Sequence, residues 1–314
     1  MVILFTNHIL LQRTISPSPL RKLRRVQRSI SYYSSMDLPV PDRQQQKGFM
    51  DFPHISTTHR NLMVELVSTM ETRLATELLP SSLPADVQYY QNESGSAQGT
   101  LHIQTGIETS MVDFILGSWL HCGMPTGSSL DITTLTAYLN SKTDAPRFLI
   151  EFLQSSPTSM IIILDLPPRK DPVLHLNYLN TFYVDTQLDK QRQLLLNKVP
   201  EAQPYFPTSL YIRCALSPVS VSILINCDSQ ERMDEIIRDN VGPVAKELLE
   251  VWLNQCARGG TIELGELDKA DLEKRDHLIK KMTVEIDLSS SLPRLFGPDV
   301  AGKVIGSIQQ VFKT

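Results

Sequence analysis

Residues 147–154 and 160–166 are two largely apolar, strand-like runs, with the turn-rich spacer Ser155-Ser156-Pro157-Thr158-Ser159 between them. That pattern predicts a β-hairpin. Successive strand side chains point to opposite faces, so Phe148, Ile150 and Phe152 share one face while Arg147, Leu149, Glu151 and Leu153 share the other. Both faces are largely apolar, which predicts an interior strand covered on both sides. Glu151 then falls between Leu149 and Leu153, on a face that is buried or lines a cavity. An uncompensated carboxylate there is costly. It must pair with an arginine such as Arg147 or Arg213, take up a proton, or face a ligand.

The same reading extends along the chain. Leu62, Leu66, Met70 and Leu74 recur at helical spacing after Thr57 or Thr58, and Pro80 ends that helix. Strands are predicted over 86–90, 100–104, 112–122 and 130–139, and a further hairpin over 209–216 and 219–227 about Ser217-Pro218. Helices are predicted over 177–198, 229–256, 263–287 and 297–312, with an interruption near residue 240 because Pro243 lies inside the second. Strands therefore come in adjacent pairs, without regular β-α-β alternation. The expected fold class is α/β: a predominantly antiparallel sheet of six to eight strands sandwiched between helices.

Charge changes the picture at one end only. Residues 1–35 hold six basic residues, six serines and no acid. Without those six, 24 basic residues face 34 acidic ones, so the remainder carries a net charge of −10 and is a poor nucleic-acid partner. An Arg- and Ser-rich, acid-poor leader predicts an organellar transit peptide over about 1–40, ahead of one domain over 48–314. Cys122, Cys214, Cys227 and Cys256 are widely spaced and read as reduced core residues.

Chemistry enters by elimination. There is no G-x-G-x-x-G after a strand, no G-x-x-x-x-G-K-[ST], no H-E-x-x-H and no G-x-S-x-G, and the histidines are not clustered at metal-ligand spacing. What stands out instead are polar residues in apolar surroundings. Glu151 is the first. Asp276 is the second: it lies four residues after Leu272 and three before Ile279, so it interrupts an apolar helical stripe, or else pairs with Arg275 or Lys280 on a solvated face. His121 beside Trp119 is either a satisfied core histidine or a pocket residue, and Arg169-Lys170 is either a solvated loop or part of a basic docking patch.

The segments GFMDFPHIS (48–56), GSWLHCGMPTG (117–127), FLIEFLQSSPTSMIIILDLPPRKD (148–171), YIRCALSPVS (211–220) and VAKELLEVWL (244–253) together resemble the red chlorophyll catabolite reductase family, in order, from about residue 48 to the C-terminus. The resemblance implies an α/β/α sandwich related to the ferredoxin-dependent bilin reductases, a homodimer, and a plastid location. It implies reduction of the C20/C1 double bond of a linear tetrapyrrole, with reduced ferredoxin as external electron donor and no flavin, metal or nicotinamide held by the enzyme. The family's two pocket carboxyls carry over to Glu151 and Asp276, and a pocket position that influences stereochemistry carries over to Leu216. An acidic ferredoxin further requires a basic patch, for which Arg169, Lys170 and Arg192 are candidates. A non-catalytic tetrapyrrole carrier or scaffold is the alternative.

Overall fold

The computed structural model describes residues 48–124, 127–259 and 264–314. The predicted leader lies outside the described residues. After the 3-10 turn Phe49–Asp51, helix α1 (Thr57–Arg73) starts where the Ser56 side chain accepts the His59 N–H. The short helix α2 (Ala85–Gln88) leads into β1 (Tyr89–Gln91), β2 (Ala97–Thr105), β3 (Val112–Gly123), β4 (Ser129–Leu139), β5 (Phe148–Ser156) and β6 (Ser159–Asp165). Helices α3 (Leu176–Leu179) and α4 (Leu188–Lys198) follow, then β7 (Ala202–Pro204), α5 (Leu210–Ala215) and β8 (Val221–Asn226). The chain ends in α6 (Gln230–Ile236), α7 (Gly242–Val251), α8 (Glu266–Met282), α9 (Ser289–Phe296) and α10 (Pro298–Phe312).

All eight strands join one antiparallel sheet in the order β1-β2-β3-β4-β5-β6-β8-β7. Strand β5 is interior, with Glu151 opposite Thr134 of β4 and Ile163 of β6. One apolar layer holds Phe148, Ile150 and Phe152 against Leu62, Met63 and Leu66 of α1 and Ile236, Ala245 and Trp252 of the α6–α7 region. A second holds Leu149, Leu153 and Ile163 against Val284, Leu288, Leu292, Val304 and Phe312. The two-sided apolar reading of residues 147–154 corresponds to this α/β/α sandwich.

Three expectations require correction. Residues 209–216 are not a strand. The Ser209 side chain accepts the Ile212 N–H and caps α5, and β8 already has neighbours on both sides, β6 and β7, so no edge is free for another strand. Residues 85–88 form a helical turn, and only Tyr89–Gln91 pairs with β2. Residues 177–198 are two helices, because a π-helical turn (Asn180–Val184) and the left-handed Gln187, at φ 60°, separate α3 from α4. The interruption expected near residue 240 takes the form of a π-helical turn at Ile237–Val241, directly before Gly242 and Pro243. Of the four cysteines, Cys122 and Cys256 are buried, whereas Cys227 is half-buried and Cys214 is exposed.

Candidate functional site

The second apolar layer is not closed along its whole length. Beside the first residues of β5 it opens into a cleft floored by Thr136, Tyr138, Arg147 and Leu149. Leu216, at the end of α5, forms one wall, and Met282, Ile286 and Asp287 form the other. The enclosed room is about 40 Å³, space for about three water molecules at most. Past Tyr211, Ala215 and Ile279 it continues into a wider mouth of about 310 Å³, bordered by Asp271, Lys274 and Arg275.

Glu151 is fully buried two residues along β5 from Leu149, on the cleft side of the sheet. On one side of it, in register on β4, is Thr134, whose buried hydroxyl has no hydrogen-bond partner. Asp287 approaches from the π-helical turn Thr283–Leu288 that continues α8. Burial pushes the Asp287 carboxyl up to about 9, and the charge of nearby Glu151 adds to the push. Tyr205 responds the same way: burial first and Glu151 second move its phenol up to about 12. Burial and the charge of Glu151 together disfavour the ionised form of Asp287, which keeps its proton at neutral pH.

Asp276 has a different environment. Its oxygens accept from Arg169 Nε at 3.0 and 3.2 Å and from Nη2 at 2.6 Å. The same guanidinium donates to the carbonyls of Thr143 at 2.7 Å and Asn140 at 3.1 Å. Neither side chain is solvated: Arg169 is 2 % exposed and Asp276 9 %. The expected surface pairing of Asp276 with Arg275 or Lys280 is therefore not formed. Arg275 Nε instead donates to the Pro168 carbonyl at 3.1 Å, and Lys280 pairs with Asp113 at 2.7 Å. Asp276 pins α8 to the loops on either side of the β5–β6 hairpin.

The same contacts remove two candidates from the basic docking patch. Arg169 is committed to Asp276, and Lys170 pairs with Asp144 at 2.9 Å with little of either side chain exposed. Arg192 remains partly exposed, bonded to Asp189 at 2.7 Å. His121 does not border the cleft. Its Nδ1 is 2.7 Å from Asp131 and its ring stacks on His54 at 3.8 Å.

Leu216 reaches its wall position through its successor. The Ser217 N–H and O–H donate to the two oxygens of buried Asp165, at 3.0 and 2.5 Å. Burial raises the Asp165 carboxyl to about 6, against the opposing effect of those hydrogen bonds.

Asp287 was missed in the sequence, although the test that singled out Asp276 could have found it. It follows Ile279 by eight residues and Thr283 by four, on the stripe that faces the sheet. The α8 pattern was taken to end at residue 287, and the π-helical turn re-phases the stripe there. Among the described residues, no three His, Cys, Asp or Glu side chains group to hold a metal ion, and no helix is long and apolar enough to cross a membrane.

With this geometry in view, the relatives of the chain are informative. The chain is 45 % identical over 273 residues to a protein of Arabidopsis thaliana named red chlorophyll catabolite reductase, chloroplastic, covering 86 % of this chain and 85 % of that one. A rice protein, red chlorophyll catabolite reductase 1, chloroplastic, is 42 % identical over 262 residues, covering 82 % and 79 %. Among solved structures, phytochromobilin synthase from tomato in complex with biliverdin superposes with a TM-score of 0.61 at 16 % identity, over 81 % of this chain and 82 % of that one, a likeness of fold. Residues 58–310 match the sequence profile described as Red chlorophyll catabolite reductase (RCC reductase), and the chain belongs to that family.

Proposed function

We propose that the chain reduces red chlorophyll catabolite, a linear tetrapyrrole, at its C20/C1 double bond to the primary fluorescent catabolite of chlorophyll breakdown. Reduced ferredoxin supplies the electrons from outside, and the reaction takes place in the chloroplast, as the names of the relatives suggest. The observation that carries this reading is an apolar cleft lined by the buried Asp287 carboxyl, with Glu151 buried on the same side of the sheet.

The reduction consumes two electrons, delivered one at a time, and two protons. Adding an electron to a conjugated tetrapyrrole makes a radical anion, which must be protonated before it returns the electron. A carboxyl held neutral at physiological pH, within a site of low dielectric, is a suitable donor. Asp287 meets that requirement for the first proton, and the second comes from solvent water by way of the Asp287 and Glu151 carboxyls once Asp287 has been reprotonated. Asp276 is assigned a positioning role: through Arg169 it holds the helix that carries Asp287. Leu216 presents an apolar side chain to the substrate and influences which face of C1 is protonated.

A flat tetrapyrrole exceeds the enclosed room of about 40 Å³. Binding therefore requires the Leu216 wall and the α8 wall to part, which is easier for the short α5 than for the sheet.

The test is to incubate the protein with red chlorophyll catabolite, ferredoxin and a ferredoxin-reducing system and to watch for a blue-fluorescing product. Product formation is expected. Tight binding without fluorescence would make the protein a carrier or scaffold.

A further inference from the structure

Arg147 is the charged residue on the cleft floor that forms no ion pair with any of the described residues. It is 6 % exposed, and it lies in an otherwise apolar stretch of the floor beside Tyr138 and Leu149. Its guanidinium carbon sits 5.1 Å from the centre of the Tyr138 ring, and its buried Nε has no hydrogen-bond partner. Among the described residues, no carboxylate lies within ion-pair distance of it. What it does have is a hydrogen bond to the Tyr138 phenol and the more distant charge of Asp165, whose two oxygens already accept the Ser217 donors.

A buried guanidinium with no carboxylate in contact and an unpartnered Nε is among the costlier arrangements in a protein interior. Its retention in a cleft is explained if the missing anion arrives with the ligand. Strand geometry makes the arrangement specific. Arg147 directly precedes β5 and Glu151 lies four residues further on, so about 13 Å away along the extended chain. Leu149 lies between them and lines the same cleft as Arg147.

We propose that Arg147 binds a carboxylate carried on a side chain of the tetrapyrrole. This anchors one end of an elongated apolar ligand while its reacting methine lies toward Glu151 and Asp287. The proposal rests on the tetrapyrrole reading above and adds a requirement to it: the ligand must be an acid. Arginine suits the role because its planar fork matches a carboxylate in two hydrogen bonds, and in a water-excluded site such charge-assisted bonds are strong.

Equilibrium binding, read by absorbance or fluorescence without any reductant, tests this apart from turnover. The probes are red chlorophyll catabolite with its side-chain carboxylate free and the same molecule as the primary carboxamide, which keeps the shape and loses the charge. The wild-type protein is expected to prefer the acid by about 10- to 100-fold. Arg147→Met should bind both alike, and Arg147→Lys should keep part of the preference. A structural role for Arg147 would not move the acid-to-amide ratio, and the wild-type comparison stands even if a variant fails to fold. Equal wild-type affinity for acid and amide overturns the Arg147 assignment while leaving the tetrapyrrole reading intact. If the wild-type protein binds neither probe, the tetrapyrrole reading fails and the assignment falls with it.

Discussion

The two faces of β5 share a backbone and a register, and both are buried, yet they serve different ends. On one face Phe148, Ile150 and Phe152 are fully buried against helices that interlock with them. The polar group that enters this layer is His59, which packs on Phe152 at 4.7 Å between ring centres and places Nε2 3.0 Å from the Thr133 hydroxyl. Burial lowers its pKa to about 3, so the imidazole is neutral and the layer carries no charge there. The other face runs Leu149, Glu151, Leu153, with Arg147 directly before the strand, and its cover leaves an opening. There the buried polar groups are a guanidinium that forms no ion pair, a carboxyl pushed up to about 9 and a threonine hydroxyl without a partner. Depth of burial does not separate a core from a site. What separates them is charge: the core-side His59 is neutral even though its Nδ1 has no hydrogen-bond partner, whereas the cleft side holds a guanidinium that forms no ion pair.

The comparison can be broken most forcefully at the carboxyl pair. Glu151→Gln and Asp287→Asn should each lower turnover with reduced ferredoxin by about 10²- to 10⁴-fold, with the thermal midpoint kept or raised, since the first removes a buried charge and the second exchanges one neutral polar group for another. Phe152→Ala on the opposite face should do the reverse, costing about 3–5 kcal/mol of stability by urea denaturation while the folded fraction stays active. Equal loss of stability and activity on both faces would remove the distinction.

The anchoring of the cleft wall gives the next largest effect. Asp276→Ala leaves Arg169 buried and alone, and should cost about 3–5 kcal/mol of stability. Replacing both partners together, Arg169→Met with Asp276→Leu, should recover most of that loss. An Asp276→Ala protein of unchanged stability that has lost turnover would instead make Asp276 a direct participant in the reaction.

The smallest effect lies in the pH dependence. The Asp287 carboxyl titrates near 9 in the folded protein against an ordinary value of 3.8. The stability it contributes is therefore complete below the ordinary value and is lost as pH rises through about 9. Asp165 acts with the same sign through about pH 6 in both proteins. Denaturation measured across pH 4–9 should show wild-type stability falling more steeply than that of Asp287→Asn. Parallel curves would mean that solvent already reaches Asp287. Turnover should fall with the same ionisation.

Part of this site was readable beforehand. Period-two alternation is a local property, and it put Glu151 on a buried face of an interior strand without any knowledge of the partners. The stripe argument gave a buried Asp276 as one of two readings, beside a solvated pair, and it could not name Arg169, which is 107 positions away in the chain. Arg169 itself read as loop charge, since nothing within several residues of it hints at a buried carboxylate. The helix at residues 210–215 was hidden for the opposite reason. Its short apolar run suits a strand or a helix equally, and occupancy of the sheet edge decided between them.

From the chain alone came what short-range order dictates: strands in antiparallel pairs, helices to cover both sides of them, a carboxyl out of place at 151, and the motifs of a family. Which carboxyl joins Glu151, which arginine is spent on structure and which is left facing the cleft are matters of contact between distant segments. Those follow from how a re-phased helical turn and a capped short helix settle over the sheet, because burial and charge compensation are properties of the assembled neighbourhood and not of any one stretch of sequence.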